Sequence, residues 1–165
     1  MNRVRNAITL HQAARHAIET TSKQHLPMEC GGILLGYRED RRVVVTHAIS
    51  VQASTPATDC YTRDDVQANQ LLRTFFEGRE AGDPVGYVGE WHSHPAPSLP
   101  SHVDVKALRA TARSVTSPLV LLVCVPGLEA RFAGLIAKRD RFGGISTKEG
   151  AVNLPRSSKD ELERS

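Results

Sequence analysis

Apolar residues recur along this chain at two spacings, and each spacing predicts a different kind of element. Residues 9–22 (TLHQAARHAIETTS) place apolar side chains three and four positions apart, which predicts a helix with Thr9 as its N-cap. Residues 64–82 begin with two aspartates and end on a glycine, and residues 101–114 begin with Ser-x-x-Asp. Acidic and capping residues at the start of a segment favour helix initiation. These three segments are therefore predicted to be helices.

Short apolar and β-branched runs between the helices predict strands. Residues 31–37 (GGILLGY) and 41–51 (RRVVVTHAISV) are separated by a charged turn, which predicts an antiparallel hairpin. Residues 118–126 (PLVLLVCVP) are almost continuously apolar, which is typical of a central strand buried on both faces. Further strands are predicted over 85–94, over 130–140 and, more weakly, near 143–147.

The order of these elements predicts one α/β or α+β domain, a sandwich around a mixed β-sheet flanked by helices. The 165 residues are 40% hydrophobic and 24% charged, which suits a single globular domain with a sizeable core. We assign this domain to residues 1–150 and a polar C-terminal tail to residues 151–165. Residues 52–63 are polar and contain a proline, so they are predicted to form a loop.

Charge and cysteine content exclude several classes of function. The net charge is +3 and the basic residues are scattered, so no nucleic-acid interface is predicted, although a face for an acidic protein partner stays open. No apolar run reaches the length of a signal-peptide core or a membrane span, so no membrane association is predicted. Cys30, Cys60 and Cys124 lie far apart, which argues against a disulfide framework or a zinc knuckle. The protein is predicted to be cytoplasmic.

Residues 89–104 (GEWHSHPAPSLPSHVD) carry the candidate chemistry. On a strand, His92 and His94 point to the same face and would aim two imidazoles at one point. Asp104, one turn into the following helix, is a candidate third ligand. Two histidines and one carboxylate leave a position open for water, as in catalytic zinc sites. The alternative is a strand, a stiff turn and a helix capped by Ser101 and Asp104, with no metal.

This segment resembles the motif of the JAMM (MPN+) metallopeptidases, in which a distant Glu precedes H-[ST]-H-P, a short loop and S-x-x-D. Residues 89–95 (GEWHSHP) are especially similar to the bacterial JAB branch of that family, and residues 27–36 (PMECGGILLG) resemble its N-terminal motif. The resemblance spans residues 8–140. It implies an MPN/cytidine-deaminase-like sandwich and the activity of a zinc metallopeptidase, a JAMM-type isopeptidase.

The resemblance also implies a role for each motif residue. His92, His94 and Asp104 would bind about one Zn²⁺ per chain, with water as the fourth ligand. Glu29 would be the general base that takes a proton from water and delivers it to the leaving amine. Ser101 would donate a hydrogen bond to the oxyanion. Iron or manganese can occupy the same ligand set, so the identity of the metal stays open.

Two other residues compete with these assignments. Glu90 would share the strand face of the two histidines, so strand geometry alone favours it as the general base. We interpret it instead as a group that supports the metal ligands from behind or as a buried pair partner. Six residues separate His94 from Ser101, one fewer than in many relatives. His102 therefore stays an alternative to Asp104 as the third ligand.

The resemblance further implies a substrate class. In this family the hydrolysed bond is often the isopeptide or C-terminal peptide bond of a ubiquitin-like protein. We therefore expect action on a ubiquitin-like protein or its conjugates, made by an E1/E2-like system, with antiphage operons of the CBASS type as a setting. An extended substrate tail could add as a strand at the edge of the site. Two alternatives stay open: processing of a sulfur-carrier protein, and a metal-free MPN scaffold that binds a partner. The oligomeric state is not predicted.

Overall fold

The computed structural model describes residues 6–55 and 60–155. Each predicted helix and strand has a counterpart in this part of the chain, and one additional strand precedes them. In chain order the elements are β1 (Ala7–Leu10), α1 (Gln12–His25), β2 (Gly31–Glu39), β3 (Arg42–Val51), α2 (Asp65–Phe76), β4 (Gly86–Ser93), α3 (His102–Ala112), β5 (Leu119–Val125), β6 (Arg131–Arg139) and β7 (Ile145–Asn153).

The strands form one mixed sheet that closes on itself in the order β1-β3-β2-β4-β5-β6-β7. β2 and β3 form the predicted antiparallel hairpin, and β4 runs parallel to β5. β1 closes the sheet because it pairs in parallel with both β3 and β7. The predicted mixed sheet of an α/β fold is confirmed, whereas its closure into a barrel was not predicted.

The N-terminal helix begins later than its spacing predicts, and Thr9 is not its N-cap. Thr9 lies in β1, opposite Val44 of β3. α1 starts after His11, whose backbone is extended and whose side chain makes no capping hydrogen bond. Ile8 and Leu10 are fully buried and alternate with Thr9 as strand residues do. A strand of 4 residues directly before a helix gives too short an alternation to be separated from helical spacing.

α2 is shorter than its pattern predicts. Asp64 is its N-cap, since the carboxylate accepts a hydrogen bond from the backbone N–H of Gln67 at 3.0 Å. The helix ends at Phe76. Gly78 follows with a φ of 77°, a left-handed conformation that favours glycine and stops the helix.

The apolar run of β5 is buried, as predicted, although the closed sheet has no central strand. β5 is buried on both faces, because each face contacts a different cluster of apolar side chains. Leu122 lies in one cluster with Trp91 of β4 and Ile18 of α1. Leu121, which points the other way, lies in a cluster with Leu108 of α3. The strand that neighbours β4 is therefore fixed from both sides.

The predicted boundary between domain and tail, at residue 150, falls inside β7, which runs to Asn153. The backbone N–H of Ala151 donates to the carbonyl of Asn6 at 3.2 Å, next to the pairing of β7 with β1. Residues 156–165 of the predicted tail lie outside the described residues. Within the described ranges, no helix is long and apolar enough to cross a bilayer.

Gly32 of β2 lies where the sheet leaves no room for a side chain. A Cβ there would lie 1.8 Å from the carbonyl oxygen of Ile49, a backbone atom that cannot rotate away. We expect Gly32→Ala to lower the free energy of unfolding by about 3 kcal/mol, the upper part of the overpacking range. Gly86→Ala is the matched control, because a Cβ at this β4 position meets no heavy atom within 4 Å. Urea unfolding measures both variants, and equal stabilities would contradict the close packing at Gly32.

Candidate active site

The residues with predicted roles line one cleft, whose cavity volume is about 580 Å³. The cleft is formed by the end of β4 with the turn after it, by the start of α3, and by the segments around Glu29 and Tyr61. Of the predicted loop over residues 52–63, residues 60–63 contribute to the wall, and residues 56–59 lie outside the described ones. The motif residues in the lining are Glu29, His92, His94, Ser101 and Asp104.

The two histidines are held side by side at the end of β4. His92 is paired with Gly31 of β2 on one side and with Val123 of β5 on the other. His94 follows the strand, and its backbone N–H donates to the carbonyl of Cys124 at 2.8 Å. Both rings are largely buried, and their Nε2 atoms are 3.1 Å apart. The intervening Ser93 points away from the cleft, as alternation requires.

Asp104 reaches both rings from the first turn of α3. Its Oδ1 lies 3.2 Å from Nε2 of His92, and its Oδ2 lies 3.6 Å from Nε2 of His94. Burial raises the pKa of Asp104, but hydrogen bonds from His92 and from the Ser101 backbone outweigh burial and lower the pKa to about 2. These distances show that the short turn between His94 and Ser101 still allows the Asp104 carboxylate to lie beside both histidines.

These three side chains fit a zinc ion. Their ligand atoms all lie within 4.8 Å of one another, and they form the candidate metal group among the described residues. In tetrahedral coordination, two ligands about 2.0–2.1 Å from zinc lie about 3.3 Å from each other. The two Nε2 atoms are 3.1 Å apart, close to this value. The Asp104 carboxylate meets the two rings through different oxygens, Oδ1 at 3.2 Å from His92 and Oδ2 at 3.6 Å from His94, so the carboxylate must turn for one oxygen to complete the set. Two imidazoles and one carboxylate are also donors that occur together in zinc sites.

Ser101 caps α3 and faces the cleft at the same time. Its Oγ accepts a hydrogen bond from the backbone N–H of Asp104 at 3.2 Å, and the Asp104 carboxylate accepts from the Ser101 backbone. A hydroxyl that accepts one bond still has its hydrogen to donate. The capping box and a role in the cleft are thus compatible. His102, the alternative ligand, is exposed and lines a separate cavity on the outer side of α3 with Arg109.

Glu29 lies in the same cleft, two residues before β2. Its carboxyl group is partly buried. Burial raises the pKa of Glu29 above its ordinary value of 4.5, and the nearby imidazoles of His92 and His94 offset only part of that rise. The segment is fixed to β4 because the carbonyl of Cys30 accepts a hydrogen bond from the N–H of Ser93 at 2.8 Å. A carboxyl group with a raised pKa is suited to accept a proton and release it again.

Glu90 is engaged in an ion pair. Its Oε1 accepts hydrogen bonds from Nη1 of Arg63 at 2.5 Å and from the hydroxyl of Tyr87 at 3.0 Å. Arg63 also contacts Asp65, at the start of α2, at 2.7 Å. Arg63 and Glu90 are both partly buried, so this pair joins the wall around residues 60–63 to β4. The arrangement agrees with our interpretation of Glu90 as a pair partner.

Two contributors to the site were missed by the sequence analysis. The hydroxyl of Ser98 lies 2.7 Å from Nδ1 of His94, which orients that ring and leaves Nε2 toward the cleft. Tyr61 donates to the carbonyl of Val51 at 3.0 Å and lies over Gly31, where a Cβ would be 2.5 Å from its ring. Ser98 could have been found from the sequence, because it is the polar residue inside the proline-rich turn. Nothing in the local sequence pattern indicated Tyr61.

The three cysteines are all free, and their surroundings differ. Burial raises the pKa of the Cys30 thiol, and it raises the pKa of Cys124 to about 11. Since the thiolate is the nucleophile and a raised pKa leaves little of it at pH 8, we expect only the exposed Cys60 to react with Ellman's reagent in the folded protein. The other two thiols should react after denaturation. A fast-reacting thiol in the native Cys60→Ser variant would contradict this burial.

Comparison with known proteins places the chain in a family. The family described as prokaryotic homologs of the JAB domain matches residues 11–134. The CD-NTase/cGAS isopeptidase of Escherichia coli (strain TW11681) is 28% identical over 102 residues, which cover 58% of this chain. The matched part is 60% of the length of that relative.

A solved structure shows the same fold. The solution structure of protein DSY2949 from Desulfitobacterium hafniense aligns with a TM-score of 0.67 and covers 91% of this chain and 94% of its own. At 18% identity this likeness concerns the fold alone. The family match, in contrast, covers most of the chain and includes every motif residue of the cleft. The resemblance to the bacterial JAB branch is confirmed, and the protein belongs to the family of prokaryotic homologs of the JAB domain.

Proposed function

We propose that this protein is a zinc-dependent isopeptidase that hydrolyses the amide bond between the C-terminus of a ubiquitin-like protein and its target. One observation carries the proposal: His92, His94 and Asp104 converge within 4.8 Å at a cleft that also contains Glu29. A metal-free scaffold has no need for three converging ligands beside a carboxyl group of raised pKa. The name of the Escherichia coli relative, an isopeptidase, supports the same reaction class.

Each residue of the cleft has a distinct chemical task in this proposal. Zinc bound by His92, His94 and Asp104 supplies Lewis-acid chemistry, which lowers the pKa of water and polarises a carbonyl group. Glu29 takes the proton of the attacking water and delivers it to the leaving amine. Ser101 donates its hydroxyl hydrogen to the oxyanion that forms at the carbonyl. These donors are held by backbone pairing and by a helix cap, so little ordering is needed during the reaction.

The closed sheet changes the expected path of the substrate. A tail cannot add as a strand beside β4, because His92 is already paired with Gly31 and Val123. The tail would instead lie along the cleft, between residues 60–63 and the turn over residues 95–100. Leu99 and Val103 are 78% and 68% exposed at this end of the molecule, so the substrate would meet apolar as well as polar surface.

The proposed biological setting rests on the similar Escherichia coli protein and not on the geometry of the cleft. We propose that the substrate is a conjugate made by an E1/E2-like system, as in antiphage operons of the CBASS type, because a CD-NTase/cGAS isopeptidase is among the similar proteins. The sulfur-carrier alternative uses the same chemistry and differs only in the tail presented. A cytoplasmic location stays a prediction.

The test is hydrolysis of a defined conjugate by the zinc-loaded protein. The substrate is a bacterial ubiquitin-like protein joined through its C-terminal glycine to the ε-amine of a lysine peptide; a second substrate carries an ordinary peptide extension. We expect mass spectrometry to show cleavage of the first at the isopeptide bond, blocked by a zinc chelator. Cleavage of the peptide extension alone would favour precursor processing instead. No cleavage of either substrate by protein with full zinc content would contradict the proposal.

A further inference from the structure

A second cavity, of about 300 Å³, lies at the mouth of the barrel farthest from the cleft. Here β2 ends and β3 begins, and β6 gives way to β7. β2 runs from Gly31, beside His92, to Glu39, beside Arg42, so the two cavities lie at opposite ends of one strand. A strand of this length measures about 26 Å. We call this cavity the basic mouth, after the five basic side chains that line it: Arg38, Arg41, Arg42, Lys138 and Lys148.

The basic mouth carries an excess of positive charge that nearby carboxylates do not balance. Asp40 is the acidic residue in its lining, and Glu39, next to it, pairs with Arg42. Among the described residues, the other four basic side chains form no ion pair with a carboxylate. Five basic side chains against the carboxylates of Asp40 and Glu39 leave a local excess of +3, which equals the net charge of the whole chain. Like charges gathered around a concavity repel each other, and a bound anion relieves that repulsion.

Arg38 is fixed in a way that suits anion binding. Its Nε donates to the carbonyl of Pro118 at 2.8 Å, and its Nη2 donates to the carbonyl of Tyr87 at 3.3 Å. The side chain is partly buried, and Nη1 has no hydrogen-bond partner among the described residues. A guanidinium group held in one orientation loses little entropy when it binds a phosphate oxygen.

We propose that the basic mouth binds a small oligophosphate anion. The cations come from the β2–β3 hairpin and from the β6–β7 hairpin, so one ligand with several charges can bridge both. A cavity of 300 Å³ is equivalent to about ten water molecules in the liquid. That volume accommodates two or three phosphoryl groups, whereas a single phosphate would leave most of the positive charge unpaired. Nucleic acid is a poorer fit, because it needs an extended basic stripe rather than an enclosed rim.

Titration calorimetry with inorganic tripolyphosphate tests the proposal. We expect one binding site, with the affinity reduced about 100-fold in Lys138→Gln/Lys148→Gln, or about tenfold per lysine. Both lysines are exposed on strands, so the variant should fold; circular dichroism checks this, and Lys148→Gln alone is the fallback. Lys106→Gln/Arg109→Gln, on the outer side of α3, removes the same charge elsewhere and should bind as the wild type does.

Two further arms identify the ligand and its location. ATP shares the triphosphate group, so equal affinity for ATP and tripolyphosphate indicates recognition of phosphates alone, and tighter ATP binding indicates a nucleotide ligand; both results support the proposal. His92→Ala should bind tripolyphosphate as the wild type does, because the metal site is at the other end of β2. Loss of binding in His92→Ala, equal weakening in the α3 control, or no binding to the wild type would overturn it. None of these readouts depends on peptidase activity.

Discussion

Glu29→Gln should abolish turnover while the protein stays folded and keeps its metal. The amide has nearly the shape of the carboxyl group but cannot accept the proton of the attacking water, and removal of a general base lowers kcat by about 100- to 10,000-fold. A carboxyl group whose pKa is raised by folding binds its proton more tightly in the folded state, so its ionisation at neutral pH opposes folding. In thermal unfolding of the metal-free proteins the variant should therefore be at least as stable as the wild type, whereas the zinc-loaded variant loses activity.

Glu90→Gln is the control for this prediction. Glu90 also lines the cleft, but its carboxylate is already bonded to Arg63 and Tyr87. We expect this substitution to weaken the ion pair with Arg63 and to change KM more than kcat, because the wall around residues 60–63 loses an anchor. If Glu90→Gln abolished turnover and Glu29→Gln did not, the general base would be Glu90.

His92→Ala should remove the metal. The ring supplies one of three converging ligand atoms and contacts both of the others, at 3.1 Å in His94 and 3.2 Å in Asp104. With two ligands left, we expect zinc content to fall from about one ion per chain to near zero after dialysis, and turnover to be lost with it. Elemental mass spectrometry of the purified proteins measures this directly. His102→Ala is the control, because that exposed side chain lies outside the group and should leave the zinc content unchanged.

Asp104→Asn separates the two roles of this residue. The amide oxygen can still accept a hydrogen bond from the backbone of Ser101, so α3 should keep its cap, but the anionic ligand is gone. A fall in zinc content with unchanged helicity is the expected result. Unchanged zinc content in both His92→Ala and Asp104→Asn would leave Ser-x-x-Asp as a helix cap only.

Local spacing explains why the sequence could pair the motif residues within each element, whereas the roles assigned to them stay predictions. His92 and His94 are two apart on a strand, and Ser101 and Asp104 are three apart at a helix start, so the period of each element fixes which side chains point together. The hairpin of β2 and β3 was equally visible, since its two runs are nearly adjacent.

The contacts that sequence reasoning missed join distant segments. The pairing of Glu90 with Arg63 depends on how residues 60–63 fold back over β4, which no periodicity encodes. The closure by β1 depends on two partners far along the chain, whose registers are set by tertiary packing. The position of Glu29, the proposed general base, depends on the same kind of contact. Glu29 precedes a strand, and only the pairing of Gly31 with His92 brings it near the histidines.

The closure of the sheet also sets an order of events during synthesis. β1 emerges first among the strands, and its second neighbour, residues 151–153 of β7, emerges last. Until then one side of β1 is unpaired and open to pairing with another chain. Contacts between distant segments also form slowly, because a long loop must be closed first. The lining of the cleft runs from Glu29 to Leu121, and the histidines pair with β5, which emerges before β7. A nascent chain would therefore have a formed cleft before it has a closed barrel.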